Sequence, residues 1–524
     1  MGRLVVAACA LAALVLAPSA AVAQERFDQN GVVFVHGFVG TGAQFESQKM
    51  RFMSNGYPEG WVEAIDYDST FGTESRADVY ARIDRMVADL QQRTGRPKVD
   101  ILGHSLGTTV MHEYLTSSPQ RAANVGHYVN IDGRQADAPP GGVPTLAIWA
   151  GRGAPGRQIA GATNVTVPNQ THVQSATSRE SFVESYKFFT GKAPAHDIVP
   201  QSGAITIEGR VLHFPVNRGV VGATLEVWQV DGATGQRSGS DPVVRVSIDE
   251  SGDWGPVEVV AGRHYEFAVI RPGAQTHHHY YEPFVRSDHL IRILESDALS
   301  ALGDRGPGHV GGVVLRYKEL WGDQEGQNDV LAIDGTSVCV PAICPISKQV
   351  NALFFFDRGS DGRTDLSSPD PRFSALPFVV AADVFAPAAI PPTGKATVEL
   401  RSRGGGPARA VNFPNFASLT DTVTVQLADF ERTDAPCRRS STVRFRLNRT
   451  RGRVTRVEAF VNGRRIIRRS GGNIRSVTLS RLPTDGRMTV RIVTTHASGT
   501  KLVSTRTWDG CTKSKPRIRS VRRR

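Results

Sequence analysis

A glycine-flanked serine is the feature of this chain best suited to covalent chemistry. The pentapeptide Gly103-His104-Ser105-Leu106-Gly107 follows an apolar run at 98–102 and precedes a helical pattern that begins near Thr108. In a G-x-S-x-G pattern between a strand and a helix, the serine occupies a sharp turn that exposes its hydroxyl and favours glycine two positions away on either side. Taken alone, the pattern also fits an ordinary glycine-rich turn. Its context predicts that Ser105 is a nucleophile.

A serine hydroxyl needs a histidine that accepts its proton. Downstream of Ser105, His112 falls on the helix after the serine, His127 opens a strand before any suitable acid, and His196 follows the last helix. His172 lies in the loop before the last helix, where the general base of an α/β-hydrolase is expected. The sequence therefore predicts His172 as the base, against the alternative of an ordinary loop histidine.

The third catalytic group is a carboxylate that orients the histidine. No Asp or Glu occurs between Asp137 and Glu180. The commonest position for the catalytic acid, after the strand at 145–149, therefore holds no carboxylate. Asp132 stands at the end of the preceding strand, from which a carboxylate can reach His172. The Asp132-Gly133 pair is also a frequent turn signal. We predict Asp132 as the acid and keep Asp137 as the reserve.

The remaining catalytic requirement is an oxyanion hole made of two backbone N–H groups. Leu106 follows the nucleophile and supplies one of them. The loop His36-Gly37-Phe38 follows the first strand and places the Phe38 N–H in the second role. Chemistry of this kind needs no metal and no organic cofactor.

Elements that could position these residues follow from the hydrophobic pattern. Apolar runs alternate with helical patterns from 31 to about 190. One of these patterns predicts an amphipathic helix at 78–90. The last helix is predicted to begin with a Thr177-x-x-Glu180 capping box and to end near Gly191. After Pro200, short alternating strands predominate. The prediction is an α/β-hydrolase domain with a mainly parallel sheet and helices on both faces (24–198), a large all-β, barrel-like domain (199–430), a small basic β-sandwich (431–512) and a disordered basic tail (513–524).

The N-terminus resembles a secretory signal peptide at 1–23. Arg3 begins it, an apolar run follows, and Ala21-Val22-Ala23 is a small-x-small cleavage site. Lipoprotein processing at Cys9 is the alternative. No later run has the roughly 20 apolar residues of a transmembrane helix. We therefore expect a secreted protein, with retention at the cell surface as a further option.

Four cysteines remain after the signal peptide. An even number in an exported chain predicts two disulfides, and the spacing favours Cys339 with Cys344 and Cys437 with Cys511. A metal site is the competing interpretation, but the close C-x₂-C repeats of zinc ribbons are missing.

Net charge is unevenly distributed along the chain. Residues 437–524 contain 25 Lys and Arg against three acids, or +22, while the rest of the chain carries −10. Such a segment could bind polyanions. We expect an anionic cell-envelope surface as partner and no nucleic acid, against the alternative of a merely soluble basic domain.

Three further motifs have weaker interpretations. The run His277-His278-His279 suggests a metal site, but consecutive strand residues point to opposite faces. Residues 357–365 resemble a calcium loop without its bidentate Glu, so a structural turn is favoured. The loop at 66–75 is a candidate lid, although it is short and polar.

Taken together, the motifs resemble one known family. The chain is similar to archaeal-type carboxylester and triacylglycerol lipases, over about residues 30–430. The resemblance implies a lipase with the triad Ser105, Asp132 and His172, the oxyanion hole Phe38 and Leu106, and a β-barrel that helps to receive long acyl chains. The motifs that carry the similarity begin at Val33, Gln44, Asn55, Gly103, Ile131, Thr171, Asp197, Pro283, Arg316, Cys339 and Phe356.

The expected activity is thus hydrolysis of medium- to long-chain carboxylic esters, including triacylglycerols, at an oil–water or membrane interface. The alternative is an esterase or thioesterase on short or polymeric esters, whose C-terminal domains serve mainly as surface-binding modules. The resemblance does not extend to the basic region after about residue 431.

Overall fold

The structure of the protein is a computed structural model that describes residues 27–403, 407–430, 443–447, 452–461, 463–480, 488–508 and 517–523. The predicted signal peptide at 1–23 and the predicted Cys437–Cys511 pair lie outside the described residues. Among the helices of the described ranges, we find none both long and apolar enough to cross a membrane.

The N-terminal region is a six-stranded parallel sheet with helices on both faces, and it fits the predicted α/β-hydrolase class. The strand order is β2-β1-β3-β4-β5-β6. Its strands are β1 (Gly31–Val35), β2 (Val62–Ile65), β3 (Val99–His104), β4 (Val125–Ile131), β5 (Thr145–Ala150) and β6 (Thr163–Val167). Its helices are α1 (Glu46–Ser54), α2 (Arg76–Thr94), α3 (Leu106–Ser117), α4 (Pro119–Ala123), α5 (His172–Thr177) and α6 (Arg179–Thr190).

This sheet is apolar on both faces, as a parallel sheet covered by helices must be. Along β1, Val33 and Val35 belong to the core on one face, and Val32 and Phe34 to the core on the other. The register pairs Val35 with Gly103 in β3 and continues through β4 to β5. The carboxyl ends of the central strands therefore meet at one edge.

The start of α6 differs from the predicted capping box. Ser178, and not Thr177, is the N-cap, and its side chain accepts a hydrogen bond from the Ser181 N–H. Thr177 instead ends the short helix α5. The helix does end as predicted, at Gly191 in the left-handed conformation.

Residues 204–426 form three open sheets, which fits the predicted all-β region, but the predicted barrel is not shown. An eight-stranded sheet has the order β10-β9-β12-β13-β22-β15-β18-β19, and two four-stranded sheets pack with it. A closed barrel has no edge strands, whereas this sheet ends at β10 and β19. The strands are β7 (Ala204–His213), β8 (Arg218–Gly219), β9 (Thr224–Val230), β10 (Val244–Ser247), β11 (Asp253–Val260), β12 (His264–Ile270), β13 (Thr276–Tyr281), β14 (Asp288–Glu295), β15 (Gly312–Leu320), β16 (Val330–Ile333), β17 (Thr336–Ser337), β18 (Val350–Phe356), β19 (Val379–Asp383), β20 (Lys395–Arg401), β21 (Arg409–Pro414) and β22 (Asp421–Gln426), with one short helix, α7 (Asp297–Ser300).

The C-terminal region has two further sheets, which fits the predicted small β domain. A two-stranded and a five-stranded sheet enclose a separate apolar core. The prediction of a disordered tail is wrong for its last part, because the final strand pairs antiparallel with the one before it. The strands are β23 (Val443–Arg446), β24 (Val454–Val461), β25 (Arg464–Ser470), β26 (Ser476–Leu479), β27 (Met488–His496), β28 (Lys501–Trp508) and β29 (Arg517–Arg523).

The predicted bond between Cys339 and Cys344 is absent, and both residues are buried free thiols. Burial raises the pKa of the Cys344 thiol, and the adjacent Cys339 raises it further. Disulfide exchange requires the thiolate, which this environment disfavours. The pair packs in the apolar core of the β region instead.

Candidate active site

Ser105 occupies a strained turn at the carboxyl end of β3. Its φ is 54° and its ψ −123°, a combination that non-glycine residues rarely adopt. The two glycines of the motif are needed for space: a Cβ on Gly107 would lie 2.3 Å from the Val35 carbonyl oxygen, and one on Gly103 would lie 3.0 Å from the Gly107 carbonyl oxygen. The turn thus packs tightly against β1 while the serine faces outward.

Asp132 and His172 are in direct contact. The His172 Nδ1–H donates to Asp132 Oδ2 over 2.6 Å, which leaves Nε2 available as a proton acceptor. The other oxygen of Asp132 accepts from the Ala150 N–H at 2.7 Å and from Arg157 at 2.7 Å. Burial alone would raise the pKa of Asp132, but the hydrogen bonds from His172, Ala150 and Arg157 lower it to about 2. The carboxylate is therefore ionised and oriented.

Ser105 lies beside this pair at the same edge of the sheet. Its N–H donates to the carbonyl of Ile131, the residue before Asp132, over 3.1 Å. The preceding His104 has its ring 4.6 Å from the ring of His172. Within the described ranges, no hydrogen bond joins the Ser105 hydroxyl to His172. Catalytic hydrogen bonds are often long without substrate and tighten in the substrate complex.

The two amides predicted for the oxyanion hole are the N–H groups of Phe38 and Leu106. Neither the Phe38 N–H nor the Leu106 N–H donates a hydrogen bond within the described part of the chain. The Phe38 loop is held close to the serine, since a Cβ on Gly37 would lie 2.8 Å from the Ser105 Cβ. The Gly40 N–H closes the loop by donating to the Gly37 carbonyl over 3.2 Å. Both donors are thus free to bind a developing negative charge.

Two buried histidines next to the site have structural roles. His104 Nε2 donates to the His172 carbonyl over 3.0 Å, and its Nδ1 accepts from Gln44. His36 Nδ1 donates to the Gly37 carbonyl over 2.9 Å, and its ring stacks on Tyr67. Burial lowers the pKa of His104 to about 3 and that of His36 to about 4. Both rings are neutral and fix the backbone on which His172 and Phe38 depend.

The β region holds the oxyanion loop from the far side. Asn217 donates to the Gly40 carbonyl over 2.8 Å and to the Tyr67 carbonyl over 2.9 Å. Asp66 accepts from the Gly42 N–H and is paired with Arg292 at 2.8 Å and with Arg210. Burial would raise the pKa of Asp66, but the two arginines hold it well below its usual range. A buried ion-pair network therefore joins the β region to the catalytic loop.

The β region also holds the segment that carries His172. Glu319, at the end of β15, is fully buried, and its carboxylate accepts from the Val173 N–H at 3.2 Å and the Gln174 N–H at 3.3 Å. It also accepts from the Thr171 hydroxyl. Glu319 is thus a positioning residue for His172. Sequence reasoning assigned no role to Glu319 or to Arg157, because both contacts depend on tertiary structure and not on a local pattern.

An apolar cavity of about 870 Å³ opens next to the oxyanion loop. Val39, Gly40 and Thr41 line one end of it. The rest of its wall comes from the β region, mostly from apolar side chains such as Leu294, Val313, Leu315, Phe354 and Phe378. This volume includes space open to solvent, and the mainly apolar lining is of the kind found in small-molecule binding sites.

Other candidate residues are not brought into the site. Asp137, the reserve acid, and His196 are exposed, and His127 pairs with Asp100 at 2.9 Å. His112 lies on α3, where burial lowers its pKa. The structure therefore leaves Asp132 and His172 as the candidate acid and base for Ser105.

The two candidate loops outside the triad are fixed by internal hydrogen bonds. In the candidate lid at 66–75, the Asp68 carboxylate accepts from the backbone and hydroxyl groups of Thr70 and Thr73. This network, with the buried Asp66, opposes movement as a lid. In the calcium-like loop, Asp357 accepts from the N–H groups of Asp361 and Gly362. These hydrogen bonds form a turn.

Comparison with known protein families gives three matches along the chain. Residues 29–128 match the family model of class 2 lipases, and residues 203–298 match the model of the lipase C-terminal domain. A third model, described as a C-terminal domain, matches residues 298–431. These matches support a lipase family and a lipolytic hydrolase.

Solved structures of hydrolases are among the similar folds. A predicted CIB-like hydrolase from Thermoplasma acidophilum has 17% identity, with 32% of this chain and 86% of that chain covered, at a TM-score of 0.24. A probable hydrolytic enzyme from Pseudomonas aeruginosa has 14% identity, with 31% and 85% covered, at 0.24. Phospholipase PlaB from Legionella pneumophila has 10% identity, with 51% and 93% covered, at 0.22.

Proposed function

We propose that this lipolytic hydrolase is a serine lipase that cleaves medium- to long-chain carboxylic esters, including triacylglycerols, through an acyl-enzyme on Ser105. The observation that carries the proposal is the 2.6 Å hydrogen bond between His172 and Asp132, at the same sheet edge as the strained Ser105. A nucleophile, a base and an ionised orienting carboxylate are the three groups that acyl transfer requires.

In the proposed mechanism, Ser105 Oγ attacks the ester carbonyl carbon and its proton moves to His172 Nε2. The carbonyl oxygen becomes an oxyanion, which the Phe38 and Leu106 N–H groups bind; donors of this kind contribute about 2.7–4 kcal/mol each. Asp132 stabilises the imidazolium. His172 then returns the proton to the departing alcohol oxygen as the C–O bond breaks. A water molecule, deprotonated by His172, releases the fatty acid and restores Ser105.

The apolar cavity supports acyl chains as the preferred group. It begins at Val39, directly after the oxyanion residue Phe38, and extends between strands of the β region. An acyl chain whose carbonyl lies at Ser105 can enter it, and each methylene group buried there contributes about 0.8 kcal/mol. Longer acyl chains should therefore be bound more tightly than short ones.

A cavity-filling variant tests the chain-length preference. Ala352 lines the cavity and is buried. Ala352→Phe should lower kcat/KM for a 16-carbon ester at least 10-fold and leave a 4-carbon ester within about 2-fold, since it removes space and not catalytic groups. Ala233→Phe, at an exposed turn that does not line the cavity, is the control. Equal loss on both esters would refute acyl binding in this cavity.

We also propose that the enzyme is exported and held at an anionic surface by its C-terminal sheet. In β24, Val457, Ala459 and Val461 point into the apolar core, so the alternate positions face outward. The strand register places four arginines on that outward side, with Glu458 as the acid among them: Arg456, Arg465, Arg468 and Arg491. Charge of this kind complements phospholipid headgroups or anionic envelope polymers.

A further inference from the structure

Three buried side chains outside the active site converge on one point. His277 and His279 are alternate residues of β13, so they project to the same face, and Glu295 ends β14 in a different sheet. His277 Nδ1 lies 2.8 Å and His279 Nε2 lies 3.1 Å from the same oxygen, Glu295 Oε1. His278 points to the opposite face, where it contacts Glu266. The histidine run therefore supplies two converging rings and not three.

We propose that His277, His279 and Glu295 bind a divalent transition-metal ion such as Zn²⁺. Two imidazoles and one carboxylate are a common ligand set for this class of metal. In a tetrahedral zinc site with bonds of about 2.0–2.1 Å, neighbouring ligand atoms lie about 3.3 Å apart. The two nitrogen–oxygen separations of 2.8 and 3.1 Å need only a few tenths of an ångström of adjustment, and the two ring nitrogens lie within 4.8 Å of each other.

The surroundings match those of a metal site. The Thr424 hydroxyl lies 2.7 Å from the second ring nitrogen of His277, which orients that ring as outer ligands do in metal sites. The three side chains are all nine-tenths or more buried, and among the described residues Glu295 Oε2 has an ion-pair contact with Arg271 but no hydrogen bond. Nearby, Arg271 pairs with Glu295 at 3.3 Å and with Asp297 at 2.7 Å. Arg271 is thus shared between the buried Glu295 and the exposed Asp297, so it offsets the charge of Glu295 only in part.

The position of the site indicates what the ion does. His277 also lines the apolar cavity, so an open coordination position can face the cavity and admit the ion. The ligands belong to the eight-stranded sheet and to a four-stranded sheet. A bound ion would join the two sheets at the cavity wall, and it takes no part in the ester hydrolysis proposed for Ser105.

Zinc binding to the full chain tests this proposal independently of catalysis. The protein is stripped with a chelator, incubated with Zn²⁺ and passed through gel filtration, and retained zinc and Tm are measured. We expect about one Zn²⁺ per chain and a Tm that rises with zinc concentration. Glu295→Gln and His279→Asn should lose the retained zinc, while His278→Asn, on the same strand but the opposite face, should keep it.

A variant that changes no ligand tests the proposal even if the ligand variants fold poorly. Thr424→Val keeps all three ligands and a similar shape, and it should weaken zinc binding by about 10–100-fold. If the wild-type chain retains no zinc and its Tm is insensitive to it, the cluster is only a hydrogen-bonded structural network and the proposal is wrong. Unchanged zinc retention in Glu295→Gln would equally overturn it.

Discussion

At the level of single residues, Asp132 divides two tasks between its two oxygens. Oδ2 accepts from His172, while Oδ1 accepts from the Ala150 N–H and Arg157 and so fixes the carboxylate plane. The order of serine, acid and histidine along the chain, with no acid between Asp137 and Glu180, was enough to predict Asp132 and His172 as partners. Arg157 could not be predicted, because an arginine in a polar loop has no pattern that indicates its contact.

The first prediction concerns the charge of Asp132. Asp132→Asn should lower kcat by about 10⁴-fold, because the amide no longer stabilises the imidazolium or selects the required tautomer of His172. Hydrolysis of a soluble ester measures it. Asp137→Asn, at the exposed reserve acid, should retain activity within about 2-fold. Comparable losses in both variants would contradict the assignment.

Asp132 should also contribute a pH-dependent stability. Its folded pKa of about 2 lies below its usual value of 3.8, so the native contacts stabilise the protein above pH 4, and this contribution falls as pH drops toward 2. The free energy of unfolding of the wild type should exceed that of Asp132→Asn, and this difference should decrease by about 1 kcal/mol from pH 5 to pH 3. Denaturant unfolding at both pH values measures this difference. A difference that increased toward low pH would contradict the stated contacts.

At the level of elements, the site depends on how closely the loop after β1 approaches the turn after β3. The alternation of apolar runs and helical patterns predicted β1, β3, β4 and β5. It did not predict β6 (Thr163–Val167) or β25 (Arg464–Ser470), because both are edge strands with polar residues on both faces. Each strand has only two apolar residues, Val165 and Val167 in β6 and Ile466 and Ile467 in β25, which are too few for a clear period of two.

The close approach of the loop predicts sensitivity at Gly37. A Cβ there would meet the Ser105 Cβ at 2.8 Å and displace the Phe38 N–H or the serine. Since a misplacement of about 1 Å can cost about 10²-fold, Gly37→Ala should lower kcat by about that factor with little change in Tm. Gly308→Ala, where a Cβ meets nothing within 4 Å, is the matched control. Full activity of Gly37→Ala would show that the loop is not part of the site.

At the level of the whole molecule, the β region does more than line a cavity, because it also positions the catalytic loops. Asn217 and Arg292 hold the oxyanion loop, and Glu319 holds the segment of His172. Alternating strands predicted an all-β region, and the resemblance implied a barrel, yet three open sheets are present. Strand order and sheet closure depend on long-range pairing, which a local period of two does not specify.

Loss of the Glu319 charge should therefore impair catalysis from a distance. Glu319→Gln weakens the bonds to the Val173 and Gln174 N–H groups, so His172 is less well placed, and kcat should fall on the order of 10–100-fold. KM should change little, since Glu319 does not line the cavity. Glu325→Gln, exposed in the same region, is the control. A raised KM with unchanged kcat would contradict a positioning role.

The basic sheet predicts binding to anionic membranes. Replacing its four outward arginines with Gln should weaken binding to phosphatidylglycerol vesicles at low salt by about 10²–10³-fold, since each contributes up to about 1 kcal/mol near such a surface. Phosphatidylcholine vesicles should bind neither chain. A control variant replaces four exposed arginines from other regions: Arg85, Arg305, Arg363 and Arg401. Equal weakening in both variants would show that only net charge matters.

The most direct measurement is hydrolysis of a long-chain triglyceride emulsion by the wild-type chain and by Ser105→Ala, with product fatty acid titrated at constant pH. The account predicts long-chain turnover in the wild type and a loss of about 10⁶-fold in kcat in the variant, as in comparable triads. A short-chain triglyceride measured in parallel reports on the cavity. Unchanged activity in Ser105→Ala would contradict the assignment of the nucleophile, and activity confined to short-chain esters would contradict a lipase.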